Sequence, residues 1–126
     1  MAEPRRRAFV LTVSDGVAAG TRVDESGPRL AERLREAGYE VDRGFAADAA
    51  ADIADAVRAA ARGHDLVVTT GGTGLTPRDV TPQALLPLLD YSVPGLGELM
   101  RAEGRRSTPF AVLSRSFGGV LAGCLV

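Results

Sequence analysis

The sequence predicts an α/β fold in which a mostly parallel sheet is covered by helices on both faces. Short apolar runs alternate along the chain with segments whose apolar residues recur at helical spacing. A glycine-rich turn also joins one apolar run to a helix start, as in sheets that bind phosphate groups. The 126 residues suffice for one domain with its own core, and we expect a single domain over residues 1–126.

The same patterns place each element along the chain. Strands are predicted at residues 8–13, 39–45, 66–70, 110–113 and 120–126. Helices are predicted from Ser26 to a stop at Gly38, over residues 50–62, and over residues 81–89 with a bend or end at Pro87. Residues 16–25 are expected to form a loop, and residues 94–97 a break before a short helix through residues 98–100.

The segment TTGGTGLTPRDVTP, residues 69–82, is the most informative part of the chain. Gly71, Gly72 and Gly74 remove side chains where a strand ends, so backbone N–H groups, including that of Thr73, are free to face an anion. Thr81 is expected to cap the following helix, with a proline after it. The alternative is a tight turn without a ligand. The segment lacks the lysine of a P-loop and the spacing of a dinucleotide fingerprint.

Asp48 and Asp79 are the candidate catalytic and metal-binding residues. Both follow strand ends, and two carboxylates beside a phosphate loop suit Mg²⁺, which shares its shell with substrate phosphates. For Asp48 the alternative is to cap the helix at residue 50, and for Asp79 it is an Asx-type turn. Further candidates for substrate or nucleotide binding at the same edge are Ser14, Asp15, Arg78, Ser114 and Arg115.

Composition excludes several classes of function. The net charge of -1 argues against a dedicated nucleic-acid binder, and no apolar stretch approaches the length of a membrane span. The chain contains no lysine, so a phosphate-binding cation must be an arginine or a metal. With one histidine and one cysteine, the chain lacks the usual ligands of a zinc site, and a single cysteine excludes an internal disulfide. No signal peptide is recognised, and a cytoplasmic location is expected.

These motifs together resemble the molybdopterin-binding MogA/MoaB family over nearly the whole chain. The resemblance rests on TVSD at residues 12–15, DESGP at 24–28, the segment 69–82, VPGLGELMR at 93–101 and LSR at 113–115. It implies a three-layer α/β/α domain and Mg²⁺- and ATP-dependent adenylylation of molybdopterin with release of pyrophosphate. It implies that Asp48 and Asp79 are the key aspartates, that Glu98 contributes to the substrate site, and that the chain forms a homotrimer or a hexamer.

Two alternatives to an adenylyltransferase are open at this point. One is a MoaB-like accessory protein that binds the pterin or a nucleotide without catalysis. The other is a related domain acting on another nucleotide, as in competence-damage-inducible proteins. Family members continue beyond the last strand into a phosphate loop and a closing helix. This sequence stops at Val126, so we expect that part of the site to be missing.

Overall fold

The computed structural model describes residues 4–126. Its strands are β1 (Arg7–Val13), β2 (Glu40–Ala46), β3 (Leu66–Thr70), β4 (Tyr91–Ser92), β5 (Gly119–Leu121) and β6 (Cys124–Leu125). Its α-helices are α1 (Asp15–Ala18), α2 (Ser26–Glu36), α3 (Ala50–Ala61), α4 (Thr81–Leu85) and α5 (Pro94–Gly104). Two 3-10 helices cover Leu86–Leu88 and Pro109–Leu113. Within the described part of the chain, no helix is both long and apolar enough to span a bilayer.

The six strands form one mixed sheet in the order β2-β1-β3-β6-β5-β4. Strand β1 pairs in parallel with β2 and β3, and β6 pairs in parallel with β3. Strands β5 and β4 continue the sheet in antiparallel fashion. The prediction of an α/β fold with a mostly parallel sheet is therefore confirmed.

Helices cover both faces of this sheet. The chain moves from β1 to β2 through α2 and returns past β1 to β3 through α3, so right-handed crossovers put the two helices on opposite faces. Side chains alternate along β1: Leu11 joins Ile53 and Val57 in the core under α3, whereas Val10 points to the α2 side, where Ala31 is fully buried.

Predictions for the first three strands and for α2 and α3 are confirmed, but the loop expected at residues 16–25 is partly wrong. It begins with one helical turn, α1, because the Ser14 hydroxyl accepts a hydrogen bond from Val17 N (3.4 Å) and Asp15 occupies the first turn. The helix expected at residues 81–89 is α only as far as Leu85, and it continues as a 3-10 turn around Pro87.

The carboxyl-terminal third departs most from expectation. The strand predicted at residues 110–113 is wrong: this segment is a 3-10 helix that starts at Pro109 and is capped by Thr108, whose hydroxyl accepts from Phe110 N (3.2 Å). The predicted strand at 120–126 is a hairpin, because Ala122 and Gly123 adopt φ of 49° and 80°.

The break predicted at residues 94–97 is also wrong, since those residues form the first turn of α5. Pro94 fits there because the first helical position needs no N–H donor. Gly97 is buried where a Cβ would lie 2.5 Å from Ser116 O, so it serves close packing and does not interrupt the helix. The short strand β4 had no counterpart in the sequence prediction.

Candidate functional site

The carboxyl ends of β1, β2 and β3 meet at one edge of the sheet. The register pairs Val13 with Ala46 and Thr12 with Thr70, so the loops that follow these strands lie side by side. They enclose an open cavity of about 520 Å³. Its lining includes five of the residues predicted for the site: Ser14, Asp48, Gly71, Gly72 and Asp79. The structure therefore brings together side chains from distant parts of the sequence, as predicted.

The glycine turn after β3 needs glycine for steric reasons. Gly71 and Gly72 have φ of 102° and 72°, a region that side chains rarely allow. A Cβ on Gly71 would lie 2.2 Å from Val13 O, and one on Gly72 would lie 2.2 Å from Thr81 Oγ1. Among residues 4–126, no protein group accepts a hydrogen bond from the N–H of Gly72 or of Thr73. Both donors are without a protein partner, and Gly72 lines the cavity, where an anion could accept from its N–H.

Thr81 fixes this turn from behind, and its predicted role as an N-cap is wrong. The cap position of α4 is Val80, and Thr81 is the fully buried first residue of the helix. Its hydroxyl donates to Gly71 O (2.9 Å) and its backbone N–H donates to Gly72 O (3.1 Å). Thr81 therefore holds Gly71 through its side chain and Gly72 through its backbone, and it does not cap the helix.

Asp48 and Asp15 join the loops that follow β2 and β1. Asp15 N donates to Asp48 Oδ2 (3.1 Å), and Asp48 N donates to Asp15 Oδ1 (2.8 Å). The alternative role of Asp48 as a helix cap is wrong, because Ala49 occupies the cap of α3 and no side chain caps it. Hydrogen bonding from the Asp48 backbone, together with Arg78, lowers the pKa of Asp15 and keeps this carboxylate charged.

Asp79 stabilises its own loop while it borders the cavity. Its Oδ2 accepts from the hydroxyl (2.7 Å) and the backbone N–H (3.0 Å) of Thr76. These two bonds lower the pKa of Asp79, so it is a carboxylate at neutral pH. The alternative of an Asx-type turn leading to Thr81 is wrong, because Thr81 N donates to Gly72 O and the Asp79 carboxylate bonds back to Thr76 instead. Asp79 lines the cavity all the same.

The two arginines predicted to bind phosphate have protein partners. Arg78 forms an ion pair with Asp15, and its side chain is 75% exposed. Arg115 donates from Nε to Gly74 O (2.9 Å) and from Nη2 to Asp79 O (2.6 Å), and its backbone N–H donates to Thr73 O (2.9 Å). Arg115 therefore braces the loop that carries the glycines and Asp79 and does not line the cavity.

Ser114 and Glu98 are not brought to the cavity within the described residues. Ser114 Oγ shares a hydrogen bond with Ser116 Oγ (2.7 Å), beside Arg101. Glu98 is exposed on α5. Their predicted contacts with substrate stay predictions.

Asp24 is a cavity residue that the candidate set omitted. Its carboxylate accepts from Thr12 Oγ1 (2.7 Å), Gly27 N (3.0 Å) and Arg43 Nη2 (2.9 Å). Burial raises the pKa of Asp24, but these hydrogen bonds outweigh burial and hold it below its ordinary value. The sequence signal was an aspartate three residues before Gly27 at the start of a helix, which is the spacing of an N-terminal cap. Arg22, also in the lining, was likewise missed.

The cavity offers two carboxylates that could act as ligands of Mg²⁺. Asp48 and Asp79 are carboxylates on two different loops, and both border the cavity. Across residues 4–126, no group of three or more histidine, cysteine, aspartate or glutamate side chains is arranged to hold a metal. Two carboxylates without a further protein ligand fit an ion that keeps water and binds substrate phosphates.

Comparisons with known proteins agree with this fold. Residues 9–125 match the family described as a probable molybdopterin binding domain. A molybdenum cofactor biosynthesis bifunctional protein of Synechococcus elongatus is 45% identical over 94% of this chain and 38% of its own length. A molybdopterin adenylyltransferase of Pyrococcus furiosus is 40% identical over 90% of this chain and 68% of its own. The chain thus spans well under half of the first relative and about two thirds of the second.

A solved structure of a molybdopterin biosynthesis protein from Mycobacterium abscessus superimposes with a TM-score of 0.92 at 43% identity, covering 98% of this chain and 79% of that one. The fold and site define an α/β protein with a glycine-rich turn and a cavity at the carboxyl edge of its sheet. More particularly, the chain belongs to the molybdopterin-binding domain family. The recognition of the MogA/MoaB family from sequence motifs is confirmed.

Proposed function

We propose that this chain acts in molybdenum cofactor biosynthesis as a molybdopterin adenylyltransferase. In this reaction a phosphate oxygen of molybdopterin attacks the α-phosphorus of ATP. A new P–O bond forms, the bond between the α-phosphorus and the bridging oxygen breaks, and pyrophosphate leaves. The observation that carries the proposal is the convergence of Asp48, Asp79 and the Gly71-Gly72 turn on one cavity. Relatives that bear this name, such as the one from Pyrococcus furiosus, support it.

The residues of this chain would contribute binding and orientation. The free N–H groups of Gly72 and Thr73 would bind phosphate oxygens without reorganising. Asp48 and Asp79 would hold Mg²⁺, which supplies charge neutralisation for phosphoryl oxygens when bound. Arg115 would keep the glycine turn and Asp79 at a fixed distance from each other through its bonds to Gly74 O and Asp79 O. Catalysis of this type depends mainly on position and electrostatics.

The proposal is tested by turnover with molybdopterin, ATP and Mg²⁺, measured as pyrophosphate release and as adenylylated product. Asp79→Asn should lower kcat by about a hundredfold or more, since removing one stabilising group from a transition state typically has this effect. Asp48→Asn should behave similarly, and the double variant should lose far less than the product of the two single effects, because both serve one ion.

Asp52→Asn is the matched control, because Asp52 is an exposed aspartate in the first turn of α3 and lies outside the cavity. Turnover should be unchanged in that variant. If the unmodified protein binds molybdopterin and releases no pyrophosphate, the chain is a binding protein of the MoaB type and the adenylyltransferase proposal is wrong.

We also propose a homotrimer, or a hexamer built from two trimers. An apolar patch formed by α5 and the 3-10 helix after it supports assembly, because Leu99, Met100, Phe110, Val112 and Leu113 are all about half exposed or more. Light scattering should give a multiple of the 13.1 kDa chain mass, and a mass of one chain at all working concentrations would contradict assembly. The cytoplasmic location and the single-domain organisation stay predictions.

A further inference from the structure

We infer that Arg22 binds a phosphate group of the anionic substrate at this cavity, an inference that rests on the proposed function. Arg22 lies in the loop between α1 and α2 and lines the cavity. Its backbone N–H donates to Gly16 O (3.1 Å). A Cβ on Gly16 would lie 3.0 Å from Arg22 Cβ and 3.5 Å from its Cδ, so the aliphatic part of Arg22 packs over a glycine. This packing restricts the position of the aliphatic part of the Arg22 side chain.

The other arginines around the site are engaged. Arg43 is paired with Asp24 (2.9 Å), Arg78 with Asp15, and Arg115 with the glycine loop and Gln83 (3.1 Å). In the part of the chain that the structure describes, the Arg22 guanidinium has neither an ion pair nor a hydrogen bond to protein. The chain has no lysine, and among the described residues that line the cavity Arg22 is the only arginine. No other side-chain cation therefore lines it.

The rest of the charged lining is acidic, so a phosphate-bearing ligand needs the Arg22 cation to offset electrostatic repulsion. Asp24, Glu25, Asp48 and Asp79 surround the same cavity with four carboxylates. Asp24 already accepts three hydrogen bonds, and none of the four forms an ion pair with Arg22. A planar guanidinium with unused donors, in the same cavity as the free N–H of Gly72, matches the oxygens of a phosphate. That phosphate belongs either to ATP or to molybdopterin.

The test compares Arg22→Gln, Arg22→Lys and the control Arg58→Gln, whose arginine forms an exposed ion pair with Asp55 on α3. Calorimetry measures the Kd for ATP and for molybdopterin separately, and turnover gives KM and kcat. Arg22→Gln should raise the Kd and the KM for one of the two ligands by about tenfold, the size expected for a lost charge-assisted hydrogen bond. Arg22→Lys should fall between, because it keeps the charge without the planar fork.

The ligand whose Kd changes identifies the phosphate that Arg22 contacts. Unchanged Kd values for both ligands in Arg22→Gln, or an equal change in Arg58→Gln, would overturn this inference. The adenylyltransferase proposal would still stand in that case. If the unmodified protein binds without turnover, the adenylyltransferase proposal fails, and the Kd comparison still decides the role of Arg22. If it binds neither ligand, both are overturned.

Discussion

Replacing Asp24 by asparagine tests how firmly the start of α2 is joined to the sheet. The Asp24 carboxylate accepts hydrogen bonds from Thr12 Oγ1, Gly27 N and Arg43 Nη2 at 2.7–3.0 Å. Its side chain is 8% exposed, and Thr12 and Gly27 are buried, so water has little access to the donors that would lose a partner. Leaving such donors unsatisfied is the costly part of removing a hydrogen bond.

The loss in the free energy of unfolding depends on which of the three hydrogen bonds an asparagine side chain can still accept. Its one oxygen can still accept from Gly27 N, but its NH₂ group would face the donors of Arg43. Arg43 is 32% exposed, so water can replace its lost partner. The loss of its hydrogen bond therefore costs an amount at the low end of the range for bonds to charged groups. We expect a loss of about 2–3 kcal/mol in the free energy of unfolding. At about 4 °C per kcal/mol for a domain of this size, Tm should fall by about 8–12 °C.

Circular dichroism at pH 7 measures this shift, with Asp55→Asn as the control. Asp55 pairs with Arg58 at 3.5 Å on the exposed surface of α3, so the control should lose less than about 0.5 kcal/mol. The folded pKa of Asp24 is below its ordinary value of 3.8, so its contribution is fully present above about pH 5 and is lost as pH falls through that lowered pKa. The difference in Tm between Asp24→Asn and the unmodified protein should therefore narrow in acid. A Tm change below about 3 °C at pH 7, or a gap that widens in acid, would refute the reasoning.

Three further changes test the glycine loop. Gly72→Ala should lower the free energy of unfolding by about 2 kcal/mol or more, because φ is 72° and the Cβ would meet Thr81 Oγ1 at 2.2 Å; a urea midpoint equal to that of the unmodified protein would contradict this. Thr81→Val removes the bond to Gly71 O and should cost about 1 kcal/mol in the same urea measurement, accompanied by weaker ATP binding; intact ATP affinity would show that this bond does not shape the turn. Arg115→Lys cannot reproduce the paired bonds to Gly74 O and Asp79 O, so hydrogen exchange at the loop amides should speed up while exchange in β1 does not. Equal exchange in the loop would show that Arg115 does not brace it.

The first half of the fold could be predicted because its periodicities are clear. Strand β1 contains the apolar run at residues 8–11 and β3 that at residues 66–68, and α2 and α3 carry apolar residues at helical spacing. The apolar run at residues 110–113 misled the prediction because Phe110 and Val112 are 72% and 58% exposed, so hydrophobicity there does not report burial in a sheet. The turn at Ala122 could not be foreseen, because alanine rarely adopts a positive φ.

The candidate site was predictable where residues directly follow strand ends. Asp48 and the Gly71-Gly72 pair lie at those positions, Asp79 follows in the loop after β3, and parallel strands bring their ends together. Asp24 and Arg22 lie on a long connection between β1 and α2, whose path over the cavity depends on tertiary hydrogen bonds such as Thr12 Oγ1 to Asp24. Local pattern does not determine such a path. The bracing role of Arg115 depends in the same way on contacts 36 and 41 residues apart in sequence.

The place of β6 in the sheet has a consequence for how the chain folds as it is synthesised. Cys124–Leu125 inserts between β3 and β5, and Leu66 pairs with Leu125 across 59 positions of the chain. Until residues 124–125 leave the ribosome, β3 has an unpaired edge, and exposed strand edges favour association between nascent chains. Completion of this part of the sheet is thus a long-range step, and chains that do not yet include residues 124–125 would be the ones prone to aggregate.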